Sequence, residues 1–152
     1  MKAVVTRVER ASVTLRDGAA AGERRETGRG LLVLLGVGLN DGEDAAKKLV
    51  EKVLALRIFP NAEGKFDRAV TDEKGDILLV SQFTLCASLK GGRRPDFTAA
   101  ARPETAKPLY ERVAALFAAS GLKVKTGEFG ASMSVESAND GPVTILVDTD
   151  LF

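Results

Sequence analysis

Apolar and polar positions along the chain fall into segments of two different periods. Residues 2–8 and 11–15 are rich in Val and Thr and predict two short strands. Asp17-Gly18 opens a turn, and the Ala-rich, charged stretch up to Arg29 reads as a loose hairpin or loop. Leu31 to Val37 is a near-continuous aliphatic run, the pattern of a central strand covered on both faces. The period then lengthens. Asp41 stands where a helix cap belongs, Glu43 and Asp44 occupy the first turn, and Ala46, Leu49, Val50, Val53 and Leu54 share one face.

A short strand at Arg57-Ile58-Phe59 and a turn at Asn61, Glu63 and Gly64 follow. Ile77 to Val80 predicts another buried strand, running directly into Ser81-Gln82-Phe83-Thr84-Leu85. A second helix is expected from Pro103 or Pro108 to Ser120, stopped by Gly121, with Leu109, Val113, Leu116 and Phe117 inward. Proline inside a helix costs roughly 3 kcal/mol, so the regular part is expected to begin at Pro108. Leu122 to Lys125, Ser132 to Glu136 and Val143 to Val147 predict the closing strands. Many strands and two helices without βαβ alternation imply an α+β fold: one domain over residues 1–152, a largely antiparallel sheet or open barrel with the helices packed on it.

Composition narrows the chemistry more than the fold. Lys plus Arg number 22 against 21 Asp plus Glu, so no global positive field coats nucleic acid, although a local basic patch is compatible with that balance. Histidine is absent, which removes Ser-His-Asp and Cys-His catalysis and nearly every familiar zinc or non-haem iron site. The single cysteine, Cys86, allows no internal disulfide and has no histidine to activate it. No metal and no cofactor are expected. The N-terminal residues lack a signal peptide's apolar core, and the longest apolar run, Gly30 to Leu39, is ten residues. A cytoplasmic location with no membrane partner is therefore expected.

Three segments are candidates for chemistry. Ser81-Gln82-Phe83-Thr84 leaves an apolar strand with three polar side chains in four positions, and a strand end frees backbone N–H groups for an oxyanion. Composition alone favours the plainer reading, a strand finishing on polar caps. Asn139-Asp140-Gly141-Pro142-Val143-Thr144 is a turn signal entering a strand, and a rigid turn there can aim two carbonyls at one point. A plain turn is again the simpler reading. Lys90-Gly91-Gly92-Arg93-Arg94 places three cations around two glycines, which can hold phosphate or simply form a solvated loop. Ser12, Thr14 and Cys86 read as structural.

Together these segments closely resemble the D-aminoacyl-tRNA deacylase family. The resemblance runs through Arg7-Val8 and Arg10-Ala11-Ser12-Val13, Gly30 to Val37, Arg57-Ile58-Phe59, Ser81 to Leu85, Arg94-Pro95 with Phe97, Thr126-Gly127 with Phe129, Met133, and Asn139 to Thr144. It covers essentially the whole chain, with both signature segments, Ser-Gln-Phe-Thr-Leu and Asn-x-Gly-Pro-Val-Thr, intact. A longer Ala19–Arg25 stretch, Pro108 and the tail Asp148 to Phe152 depart from the family pattern.

The resemblance implies a homodimer that hydrolyses the ester of D-aminoacyl-tRNA and does not act on DNA. Ser81, Gln82, Phe83 and Thr84 would line the pocket for the aminoacyl group and terminal adenosine. Gly141 and Pro142, joined by a cis bond, would enter the pocket of the other subunit, with Arg7 holding them and Met133 and Asn139 beside the substrate. Two fixed carbonyls near the α-carbon would exclude an L side chain by clash, while a D side chain or glycine's hydrogen fits. Lys90, Arg93 and Arg94 would contact the tRNA. An aminoacyl ester is already activated, so positioning, an oxyanion site and the ribose 2′-hydroxyl can suffice without histidine. The rival scheme makes Thr84 a covalent nucleophile, with no base visible nearby in sequence to activate it. Also open are a nucleic-acid-binding barrel with Phe83 or Phe97 stacking bases, a small-molecule amidase or esterase with Lys as base, and a dimeric scaffold.

Overall fold

The first surprise is the length of the opening strand. In the computed structural model, which describes residues 1–152, β1 runs unbroken from Lys2 to Leu15 where the sequence predicts two pieces. The reason is its partner. β8 (Met133–Asp148) lies antiparallel along the whole of β1, and likewise merges two expected strands into one. The break in apolar pattern at Glu9 and Arg10 is a bulge, where the register shifts, and not a strand end.

That bulge divides the core. Ala3 and Val5 belong to the larger apolar cluster; Val8, just before the bulge, and Ala11, Val13 and Leu15, beyond it, belong to the smaller one. β1's other edge is shared: its first half pairs with β3 (Gly30–Gly36) and its second half with β2 (Arg24–Thr27), both antiparallel. β3 continues in parallel to β6 (Asp76–Ser81), and β6 in parallel to β7 (Val124–Thr126). The sheet is therefore mixed, antiparallel about β1 and parallel about β6. Its curl brings the segment after β7 against the start of β8, where a side chain on Gly127 would meet the Met133 sulfur.

Each parallel pair needs a crossover, and each crossover carries a helix. α1 (Glu43–Ala55) lies between β3 and β6, and α2 (Pro103–Ala118) between β6 and β7. Both bury their apolar faces in the larger cluster, through Leu49 and Val53 from α1 and Val113 and Phe117 from α2. Residues Leu31 and Val33 face the helices while Leu32 faces the smaller core, so β3 is apolar on both faces. This is the expected α+β barrel-like architecture with two helices, except that two parallel crossovers, through α1 and α2, stand where no βαβ alternation was expected. The remaining strands, β4 (Phe59–Pro60) and β5 (Phe66–Arg68), form a separate small hairpin.

One capping expectation is corrected, and of the two expected starts of α2 the first, Pro103, is the one observed. The residue before α1 is Gly42, and Asp41 makes no helix cap; its carboxylate accepts from the Gly38 N–H at 2.6 Å and from the Met1 ammonium at 2.5 Å. α2 begins at Pro103 and contains Pro108, because Pro103 sits at the helix start, where no N–H is needed. Pro108 stands only one turn further in, with its ring exposed. Pro108→Ala is expected to raise stability by up to about 3 kcal/mol, or roughly 6–12 °C in Tm for a chain of this size, because residue 108 lies inside the helix. A thermal melt showing no gain would mean that the proline costs this helix nothing. The Ala19–Arg25 stretch is anchored by Glu128, whose carboxylate accepts from the N–H groups of Ala19 and Ala20. No helix is long and apolar enough to cross a membrane.

Candidate active site

Ser81 is the last residue of β6, and the chain turns sharply beyond it. The Gln82 N–H donates to the Leu35 carbonyl at 2.7 Å, and a single 3₁₀ turn, Phe83–Cys86, follows. The turn packs against β3 at Gly36. A Cβ there would lie 3.0 Å from the Leu85 Cβ and 3.1 Å from the Gln82 carbonyl oxygen, so the close approach depends on glycine. The N–H groups that open such a turn have no partner within it, which leaves them available to an acceptor.

This strand end faces a pocket of about 540 Å³. Leu35, Val37, Val80, Ser81, Gln82 and Phe83 form one wall; α2 contributes Pro103, Ala106 and Tyr110; Phe129 to Ala131, Met133 and Val135 complete it. The lining is mostly apolar. Tyr110 is its only titratable side chain; its hydroxyl donates to the Leu79 carbonyl at 2.9 Å, and burial pushes its pKa up. It remains a neutral phenol at physiological pH. Cys86, behind the turn, is buried, and its thiol is likewise pushed up by burial. Thr84 stands just outside the lining, and the Gln82 side-chain amide donates to its hydroxyl at 2.5 Å. No carboxylate or amine is present in this wall to deprotonate it.

A second cluster lies apart from the pocket. Between Thr6↔Thr144 and Val8↔Asn139 the register advances two residues on β1 but five on β8, so residues 140–143 leave the ladder as an excursion. Asn139 closes its base: Oδ1 accepts from the Val143 N–H at 3.0 Å, and Nδ2 donates to Thr144 Oγ1 at 3.1 Å. Arg7, buried, holds it from below. Its Nε lies 3.0 Å from the Asp140 carboxylate and its Nη1 donates to the Ile58 carbonyl at 2.5 Å, while the Phe59 and Phe66 rings lie near the guanidinium. Gly141 and Pro142, joined by a cis peptide bond, are exposed at the tip.

Of the residues singled out from sequence, then, Ser81, Gln82, Phe83 and Met133 line one pocket, with Thr84 at its edge. Arg7, Asn139, Gly141 and Pro142 assemble with one another but do not line that pocket within the chain. Lys90, Arg93 and Arg94 project from an exposed hairpin beyond the 3₁₀ turn. Tyr110, Ala106 and Pro103 were missed. Ala106, Tyr110, Val113 and Phe117 recur at helical spacing, so the stripe is legible in the sequence; the expected inward residues Leu109 and Leu116 also pack against the core, partly buried beside it.

A family model described as D-Tyr-tRNA(Tyr) deacylase matches residues 4–148. The chain belongs to the D-aminoacyl-tRNA deacylase family. Among its relatives is the D-aminoacyl-tRNA deacylase of Anaeromyxobacter dehalogenans, 52% identical over 98% of this chain and 97% of that protein. That of Aquifex aeolicus is 50% identical over 98% of each chain. A solved structure titled "c-Myc DNA Unwinding Element Binding Protein" superposes on this family member with a TM-score of 0.88 at 42% identity, covering 97% of this chain and 98% of that one. A second, titled as a structural analysis of a probable eukaryotic D-amino acid tRNA deacylase, has a TM-score of 0.82 at 17% identity, covering 96% and 97%; it shares the fold.

Proposed function

We propose that this chain hydrolyses the ester of D-aminoacyl-tRNA, and of mischarged glycyl-tRNA, in the cytoplasm, as a homodimer of single-domain subunits in which each pocket is completed by the partner's Gly141 and Pro142. The observation that carries the reading is the Ser81–Thr84 strand end opening on an apolar pocket that contains no general base. Such a site suits a substrate that is already activated.

In this reading the apolar walls take the terminal adenosine and the start of the aminoacyl group. Backbone N–H groups that open the 3₁₀ turn, at Phe83 and Thr84, stabilise the oxyanion that forms when water adds to the ester carbon. The neighbouring ribose 2′-hydroxyl orients that water, and collapse of the intermediate breaks the bond to the 3′-oxygen, which leaves with a proton. The Gln82 amide donates to Thr84 Oγ1, which supports a positioning role for the hydroxyl over attack by it. The exposure of Gly141, Pro142 and Leu146 along one strand supports their burial by a second copy.

The test is hydrolysis of one tRNA charged with D-tyrosine, L-tyrosine or glycine. Loss of the D and glycyl esters with the L ester spared is expected; equal loss of D and L would remove the steric filter, and no loss of any would remove the activity. Thr84→Ala is expected to lower kcat less than about tenfold, whereas loss of a covalent nucleophile costs on the order of 10⁴-fold or more. Binding of nucleic acid without turnover is the second reading, favoured by the DNA-binding title of the 42%-identical relative. Binding by an inactive, folded dimer would establish it.

A further inference from the structure

Between β7 and β8 the chain runs as a loop, residues 127–132, that carries Phe129, Gly130 and Ala131 of the pocket lining. Met133, the next residue, lines the pocket as well. The last ladder bond before this loop is Gly127 N–H to the Leu79 carbonyl at 2.9 Å. Beyond it the chain has left the sheet, and one internal bond, Ala131 N–H to Glu128 O at 3.2 Å, holds it in a turn. The Phe129 ring lies near Tyr110 on the inner side, with centroids 5.9 Å apart. Apolar contact of that kind is mainly non-directional, so it does not fix where the loop stands.

Every hydrogen bond from residues 128–132 to the rest of the chain goes to one place, the loop that joins β1 to β2. Arg16 N–H donates to the Ser132 carbonyl at 2.8 Å, and Ser132 N–H donates back to the Asp17 carboxylate at 2.7 Å. The Glu128 carboxylate accepts from Ala19 N–H at 2.9 Å and from Ala20 N–H at 3.2 Å. Hydrogen bonds to an ionised acceptor are roughly twice as strong as neutral ones. The β1–β2 loop is itself closed at its base, by Leu15 N–H to Glu23 O and Gly22 N–H to Leu15 O. Gly18 completes the seat: its φ is +86°, and a Cβ there would lie 2.6 Å from Glu128 Oε1. The carboxylate comes this close because residue 18 has no side chain. Neither Asp17, Gly18 nor Glu128 lines the pocket.

We propose that the β1–β2 loop braces this wall of the pocket, and that Glu128 is a positioning residue for the deacylation. Glu128 touches no substrate; it sets where Phe129 to Met133 stand relative to the Ser81–Thr84 strand end. The inference rests on the proposed seating of the terminal nucleoside in this pocket. Without the brace, the Gly127 bond to β6 and the pairing of Met133 with Leu15 still tie both ends of the loop to the sheet. The fold therefore persists while the wall between those ties shifts. The loss falls on substrate fit and not on the oxyanion site, which another wall carries.

The experiment compares wild type, E128A, G18A and the double variant G18A/E128A on D-tyrosyl-tRNA, with a thermal melt of each. E128A is expected to raise KM on the order of tenfold while kcat stays within about twofold, the signature of lost uniform binding. G18A, whose methyl displaces the Glu128 carboxylate, is expected to do the same. In the double variant KM should rise no further than in E128A, since both changes act through one contact. An E128A KM within about twofold of wild type, or a fall in kcat alone as from a smaller folded fraction, would overturn the proposal. So would increases in KM that multiply in the double variant. E128Q keeps one acceptor oxygen, so its KM should lie between those of wild type and E128A, and it takes the place of E128A if that variant does not fold. Amide hydrogen exchange separates the brace from the functional reading. If wild type hydrolyses no ester, faster exchange over residues 128–133 in E128A still sustains the brace, and unchanged exchange overturns it.

Discussion

Gly141→Ala is expected to lower kcat/KM for D-tyrosyl-tRNA by about 10²-fold or more, and to narrow the gap between D and L esters. Gly141 has φ +122°, a backbone conformation that L side chains rarely adopt. A Cβ built there would lie 2.7 Å from Val143 Cγ2 and 3.0 Å from Arg7 Nη2. Neither neighbour gives way easily, since Val143 is buried and the Arg7 guanidinium is held on two sides. The excursion itself must move. A filter that works by clash depends on carbonyl position to a fraction of an ångström, and a shift of about 1 Å typically costs 10²-fold. Because residues 141 and 142 are exposed, the fold should survive, with a cost of about 1–3 kcal/mol for the strained residue. Single-turnover assays on both esters, with a thermal melt beside them, check this. Rates and D:L ratio matching wild type would mean that the excursion takes no part in selection.

Arg7→Ala is expected to reduce both stability and activity. The side chain is 7% exposed and satisfies the Ile58 carbonyl and the Asp140 carboxylate. Its loss leaves the carbonyl unpaired, at about 1–3 kcal/mol, and opens space beneath Phe66 and Phe59. Asp140 is 29% exposed and regains water, so its side of the pair counts for little. A total near 3 kcal/mol corresponds to a fall of roughly 6–12 °C in Tm. Arg7→Lys should recover less than half, because one ammonium cannot bridge the carbonyl and carboxylate while lying between two rings. Since Arg7 acts on the substrate only by placing residues 140–143, its activity loss should overlap with that of Gly141→Ala. In the double variant the two losses should combine to much less than their sum; full additivity would show that Arg7 acts by another route.

How far the sequence reaches depends on the range of the forces involved. The helical faces Leu49, Val50, Val53 and Val113, Phe117 were legible because amphipathic periodicity is written in neighbouring residues. So were the doubly covered strand Gly30–Gly36 and the polar strand end at Ser81, which ends β6 as expected. The absence of histidine excluded whole classes of mechanism before any fold was considered. The motif resemblance named a family that the match over residues 4–148 supports.

Long-range pairing decided the rest. Residues 2–8 and 11–15 look like two strands because a bulge interrupts their alternation, and only continuous pairing with β8 makes them one. Asp41 reads as a helix cap, but a buried ammonium 40 positions away claims its carboxylate. Arg7 sits in an alternating strand and gives no local sign that it braces a loop 133 residues later. The relation of that loop to the pocket is also non-local, since the two lie apart within one chain. Local periodicity and composition determined the elements, the missing chemistry and the candidate segments of this protein. Which strands merge, which carboxylates find partners and which segments meet are set by contacts between residues distant in sequence, whose energies leave no periodic trace along the chain.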